Sequence, residues 1–109
     1  MKTIQHHIGG KRFESADRHA DVFDPATGQV TKRVPLASVH DVRTAVDAAA
    51  VAFPDWAATT PLNRARVMFK FLELLNIHKD DLARAITAEH GKVFTDAQGE
   101  VTRGIDIVE

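Results

Sequence analysis

The stretch from Pro61 to Lys92, PLNRARVMFKFLELLNIHKDDLARAITAEHGK, constrains this chain more than any other. Thr60 is placed to cap it. Pro61 falls at the first helical position, where the missing N–H would have found no partner inside the helix. Ala65, Met68, Phe69, Leu72 and Leu75 form one apolar stripe, and Val67, Phe71 and Leu74 form a second. Only Asn63, Arg64, Arg66, Lys70 and Glu73 remain to face water. A helix that is apolar around most of its circumference is normally buried inside a larger assembly. Asp80 and Asp81 open a second helix, with negative charge at its positive dipole end, and Leu82, Ala85, Ile86 and Glu89 lie along one side. Gly91 stops it. The stretch therefore demands a partner surface, yet it offers no group that could make or break a bond by itself.

Length and composition exclude several classes of function. At 109 residues the chain is one domain at most, and a domain of this size buries roughly two-thirds of its unfolded surface. Hydrophobic residues at 44% and charged residues at 27% are ordinary for a globular protein and argue against disorder. Fourteen Lys and Arg against fifteen Asp and Glu give a net charge of -1, with the signs interleaved, so no basic stripe invites nucleic acid. No apolar run approaches the roughly 20 residues of a membrane span, and Met1 to His7 lacks an apolar signal core. A cytoplasmic location without membrane attachment is the expectation. The absence of cysteine excludes disulfides, Cys-based zinc sites and a thiol nucleophile within these residues. Of the six histidines, His6 and His7 are adjacent and would point to opposite faces of a strand, while His19, His40, His78 and His90 lack ligand spacing. They read as surface or helix-end residues, and no metal site is expected.

Thr3 to Ile8, Gly9-Gly10 and Lys11 to Phe13 read as a hairpin whose two glycines supply the positive φ of a tight turn. A second pair follows. Asp21 to Phe23 is extended, Asp24-Pro25-Ala26-Thr27-Gly28 is a turn, and Gln29 to Val34 is a strand that Pro35 stops. Ser38 caps a helix with Asp41 in its first turn. Val42, Ala45, Val46, Ala49 and Phe53 fall on one stripe, expected to be buried; Pro54 ends or kinks that helix, and Trp56 is expected to cover the end of a core. The paired Asp80 and Asp81 are helix-end charges rather than a catalytic dyad, since no third group is placed to separate their pKa values. Gly91-Lys92 is not a phosphate loop, because Val93 replaces the required Ser or Thr, and the chain contains no Gly-x-Gly-x-x-Gly. Thr95 or Asp96 opens a last helix in which Val101, Ile105 and Val108 form an apolar line. It reaches Glu109 without a C-cap, which is the pattern of a cut inside a longer protein.

VFDPATGQVTKRVPLAS, the alanine-rich helix ending FPDWA, and TPLNRARVMFKFLELLNIHKDDLARAITAEHGK, in that order, resemble the amino-terminal portion of the aldehyde dehydrogenase superfamily. The likeness covers nearly the whole chain. Within the superfamily, His90 in EHGK and the ending GEVTRGIDIVE are most similar to the CoA-acylating methylmalonate-semialdehyde dehydrogenases. The resemblance implies an α/β parent with a Rossmann-like NAD domain, of which residues 1–36 would be β-hairpins and 38–109 about four helices at the start of the NAD-binding domain. It also implies a dimeric or tetrameric homo-oligomer acting on a small semialdehyde. A cysteine thiolate in the remainder of the polypeptide would attack the aldehyde, hydride would pass to NAD, the malonate-type acyl group would lose carbon dioxide, and coenzyme A would take it as propionyl-CoA or acetyl-CoA. NAD would be bound beyond these residues.

The resemblance assigns one substrate-binding residue here, Arg103, whose guanidinium would grip the semialdehyde carboxylate through two parallel hydrogen bonds. From periodicity alone, Arg103 is a helix-surface residue paired with Glu100 or Asp106, contributing about 0.2 to 0.5 kcal/mol. Two classes of function follow from these readings. One is part of an NAD-dependent CoA-acylating semialdehyde dehydrogenase, with a non-acylating aldehyde dehydrogenase as its variant. The other is a non-catalytic interaction module that binds a partner through its two-sided apolar helix.

Overall fold

The computed structural model describes residues 1–14 and 17–109, and these form two compact units, Met1–Ala58 and Thr59–Glu109. In the first unit, β2 (His6–Ile8) and β3 (Lys11–Phe13) form the hairpin read from the sequence, with His6 opposite Phe13 and Ile8 opposite Lys11. Gly9 and Gly10 turn it at φ 59° and 76°, values that a side chain with a Cβ resists. The two histidines face opposite ways, His6 half-buried beside the Phe13 ring at 5.3 Å and His7 exposed.

The strand leading into this hairpin is broken. β1 (Lys2–Thr3) leaves it and pairs in parallel with β5 (Val30–Pro35), Lys2 opposite Lys32, in a three-stranded sheet of order β1-β5-β4. β4 (His19–Phe23) runs antiparallel to β5, with a register shift between Val22 and Phe23. The turn between them is held by the Asp24 carboxylate, which accepts the Ala26 N–H at 2.8 Å, and by the Gly28 N–H donated to the Asp24 carbonyl at 2.8 Å. Pro35 closes β5 from within, opposite His19 and buried, rather than from just outside.

The helix α1 (Val39–Ala58) starts where Ser38 predicts. Ser38 Oγ accepts the Asp41 N–H at 3.1 Å, and the Asp41 carboxylate accepts the Ser38 N–H at 2.7 Å, a reciprocal cap that satisfies two orphan donors. Its later course differs from the sequence reading in two ways. The helix runs through Pro54 to Ala58, because a proline this close to the end removes one hydrogen bond and the remaining turn tolerates that loss. The apolar stripe is also not a buried one. Val42, Val46 and Phe53 are exposed, as is Trp56, while the small Ala45 and Ala48 are the half-buried positions. A Cβ on Gly9 would lie 3.9 Å from Ala48 Cβ, so alanine is what lets α1 approach the hairpin.

The second unit is a three-helix arrangement of α2 (Pro61–Ile77), α3 (Lys79–His90) and α4 (Phe94–Val108). Thr60 caps α2 by accepting the Asn63 N–H at 3.3 Å. Gly91 ends α3 at φ 84° and donates its N–H to the Thr87 carbonyl at 2.8 Å. α4 begins at Phe94, a residue before Thr95, after a Val93 that supplies no side-chain cap. Its line of Val101 and Ile105 is buried as expected, and Ala97 extends it; Val108 is half-buried. On α3 the buried residue is Ala83; of the side read from the sequence, Ile86 is half-buried while Leu82, Ala85 and Glu89 are exposed. Ala83 and Ala97 are both 0% exposed, and two methyl-sized side chains let α3 and α4 pack closely. Leu72 and Leu75 of α2, Ile86 and Phe94 surround this core. Arg84 stacks over the Phe94 ring at 5.6 Å, and Gln98 donates to Asp80 at 2.9 Å across the same helix pair.

Candidate functional site

α4 sorts its residues by the helical period. Ala97, Val101 and Ile105 turn inward, so Arg103, half a turn away from Val101, faces outward together with Ile107. The Arg103 side chain is 72% exposed, and Ile107, one turn further on, is exposed as well. The helix thereby presents a cation next to an aliphatic group on a solvent-facing surface. Arg103 Nη1 lies 3.3 Å from Glu100 Oε1, so of the two partners that spacing allows, the pair forms with Glu100. This contact is an ion pair only. Among the described residues the Arg103 side chain makes no hydrogen bond, which leaves its fork of donors available to an incoming carboxylate.

Glu100 has a stronger attachment elsewhere. Lys92 reaches back from just past the end of α3 and donates a hydrogen bond to Glu100 Oε1 at 2.8 Å. That hydrogen bond, then the charge of Lys92, then the charge of Arg103 hold the Glu100 carboxyl below its ordinary value. A lowered carboxyl value means that the pairing is complete above the normal glutamate range and is lost only as pH falls through the depressed value. Glu100 therefore stays ionised at neutral pH, with the Lys92 and Arg103 side chains on either hand. Lys92 was not legible as part of this group, because its pairing spans eight residues across the Gly91 stop and follows no helical repeat.

The other residues weighed from the sequence are not brought together. Asp80 bonds Gln98, and Asp81 pairs with Arg84 at 3.0 Å and with His78 at 3.5 Å, so the two aspartates act at the start of α3 as structural groups. Among the described residues no group of three or more His, Asp or Glu is gathered as a metal would need, and no helix is long and apolar enough to cross a membrane. Gly9, Gly10 and Gly28 turn hairpins and Gly91 ends a helix; none forms the glycine cradle in front of a helix N-terminus that a dinucleotide requires. Among the described residues no such cradle for NAD is formed.

A separate apolar depression of about 610 Å³ opens between the three helices of the second unit, lined mainly by Phe71, Leu75, Leu82, Ile86, Val101 and Ile105. Leu82 and Ile86 of α3, the latter also packed against the buried core, line this hollow. Its chemistry is that of a packing surface, with Glu89 and His90 as the polar residues among its lining.

Comparison with known proteins places these features. The sequence matches the family model described as the aldehyde dehydrogenase family over residues 13–109. A malonate-semialdehyde dehydrogenase of Pseudomonas aeruginosa is 43% identical over 109 residues, which is all of this chain and 22% of that protein. The crystal structure of a methylmalonate-semialdehyde dehydrogenase from Oceanimonas doudoroffii superposes with a TM-score of 0.97 at 50% identity, over 99% of this chain and 22% of that one. A protein of Sinorhizobium meliloti assigned as a methylmalonate-semialdehyde dehydrogenase, in a structure complexed with NAD, gives a TM-score of 0.95 at 44% identity, again over 99% and 22%. The chain thus spans less than a quarter of the relatives it matches, and the region matched is their amino-terminal portion. With a family match over nearly its whole length and a backbone that follows solved members from β1 to α4, the chain belongs to the aldehyde dehydrogenase family.

Proposed function

We propose that this chain is the opening part of the NAD-binding domain of a longer homo-oligomeric enzyme that oxidises malonate or methylmalonate semialdehyde and delivers the product to coenzyme A. The observation that carries this reading is the identity of 43 to 50%, along the whole chain, to proteins named for those two substrates. NAD is the oxidant of the complete enzyme, held by other residues of it. The nucleophile is a cysteine outside these residues, suited to the task because a thiolate attacks carbonyls near neutral pH and its thioester passes readily to a second thiol. The acyl group then loses its carboxylate as carbon dioxide, the thioester carbonyl takes up the electron pair, the resulting enolate takes a proton from water at its α-carbon, and the thiolate of coenzyme A displaces the enzyme thiolate to receive a propionyl or acetyl group.

In this scheme the chain contributes recognition rather than bond-making. Arg103 holds the substrate carboxylate in a fork of two parallel hydrogen bonds and so distinguishes a semialdehyde from a plain aldehyde. Supplying the longer enzyme with methylmalonate semialdehyde, NAD and coenzyme A, and following products by mass spectrometry, tests the reading. Propionyl-CoA and carbon dioxide in equal amounts are expected. Free methylmalonate with no CoA ester would instead identify a non-acylating dehydrogenase.

A further inference from the structure

Arg103 could be silenced from within its own helix. Glu100 stands three residues before it, and a carboxylate at that spacing is an internal competitor for the same donors that a substrate carboxylate would use. Lys92 is the group that opposes this. It shares the oxygen Oε1 with Arg103, but sits at 2.8 Å with hydrogen-bond geometry, whereas Arg103 sits at 3.3 Å without it. Lys92 is also the least exposed of the three, at 25% against 44% for Glu100 and 72% for Arg103, so it is the anchored member and Arg103 the accessible one. Its place just after Gly91 fixes it, since the left-handed cap at φ 84° ends α3 and directs the chain into α4.

We propose that Lys92 is a positioning residue that ties down Glu100 and thereby leaves the Arg103 guanidinium available for the carboxylate of the substrate. The inference rests on the reading of Arg103 as the carboxylate clamp. It accounts for an exposed arginine whose side chain makes no hydrogen bond among the described residues although a carboxylate lies 3.3 Å away.

The test compares steady-state kinetics of the longer enzyme and its variants on methylmalonate semialdehyde and on butanal, an uncharged aldehyde of similar size. In Lys92→Met the freed Glu100 turns to Arg103, and KM for the semialdehyde rises about two- to fivefold, the size expected of an exposed ion pair. kcat and the KM for butanal stay where they were. Adding Glu100→Gln to Lys92→Met removes the competitor and returns KM to its original value, and Lys92→Arg, which keeps the tether, leaves KM near normal. An equal rise in KM for both aldehydes, or a double variant no better than Lys92→Met, overturns the proposal. Arg103→Leu separates the two levels of the argument. If that variant discriminates between the aldehydes while Lys92→Met does not, the tether fails and the clamp stands. If Arg103→Leu affects both aldehydes alike, the clamp itself fails and the tether with it.

Discussion

Replacing Arg103 by leucine in the longer enzyme is expected to lower kcat/KM for methylmalonate semialdehyde by about 30- to 1,000-fold, the usual range when one partner of a hydrogen-bonded charge pair is removed at a binding surface. The loss on butanal should be a few-fold at most. The asymmetry follows from the fork geometry. Leucine keeps much of the aliphatic stem of arginine but none of its donors, so only a substrate carrying a carboxylate detects the change. Arg103→Lys should fall between, since an ammonium keeps the charge and loses the two parallel hydrogen bonds. Equal losses on the charged and uncharged aldehydes would return Arg103 to the role that periodicity alone gives it, a surface residue paired with Glu100.

The second large effect concerns the 109-residue chain by itself. Purified alone, it is expected to elute from a sizing column as mixed multimers and to bind a hydrophobic dye strongly. Phe53 is 66% exposed, Phe69 64%, Val51 80% and Ile107 86%, apolar positions on helices left open among the described residues. The buried core of the second unit is four residues, two of them alanine. Exposed apolar surface of this kind in a soluble protein is associated with interfaces or with aggregation. Light scattering on the eluate, with thermal melting by circular dichroism, checks the point. A monomer with a single sharp transition would contradict it.

These exposures also show where the sequence could be read and where it could not. Local signals survived intact. The Gly9-Gly10 turn, the Ser38 and Thr60 caps, Pro61 at the start of α2 and the Gly91 stop are each decided by a few neighbouring residues, and each stands where the sequence puts it. Periodicity told apolar from polar faces but not covered from uncovered ones. The stripe of Val42, Val46 and Phe53 is real and yet open, because burial depends on a partner surface and not on the helix that carries the stripe. On α3 the buried residue is Ala83, where close approach to Ala97 decides the packing. Pairing across elements was the least accessible. Neither the parallel partnership of Lys2 with Lys32 nor the reach of Lys92 to Glu100 follows any short-range spacing.

The candidate site shows the same division. Arg103 is marked by its resemblance to a family motif, and its outward placement follows from the period of α4 once Val101 and Ile105 are inward. Its electrostatic setting required the fold. Glu100 was recognisable as a neighbour, but that Lys92 and not Arg103 makes the shorter contact to it emerges only when the chain past Gly91 turns back along α4.

The most direct test grafts this chain onto the Oceanimonas doudoroffii enzyme in place of the segment it matches, and assays the purified chimera for CoA-dependent oxidation of methylmalonate semialdehyde. A chimera that assembles, turns over the semialdehyde at a rate comparable to the parent enzyme and loses that activity on Arg103→Leu is the expected result. An assembled chimera that oxidises butanal but leaves methylmalonate semialdehyde untouched would contradict it.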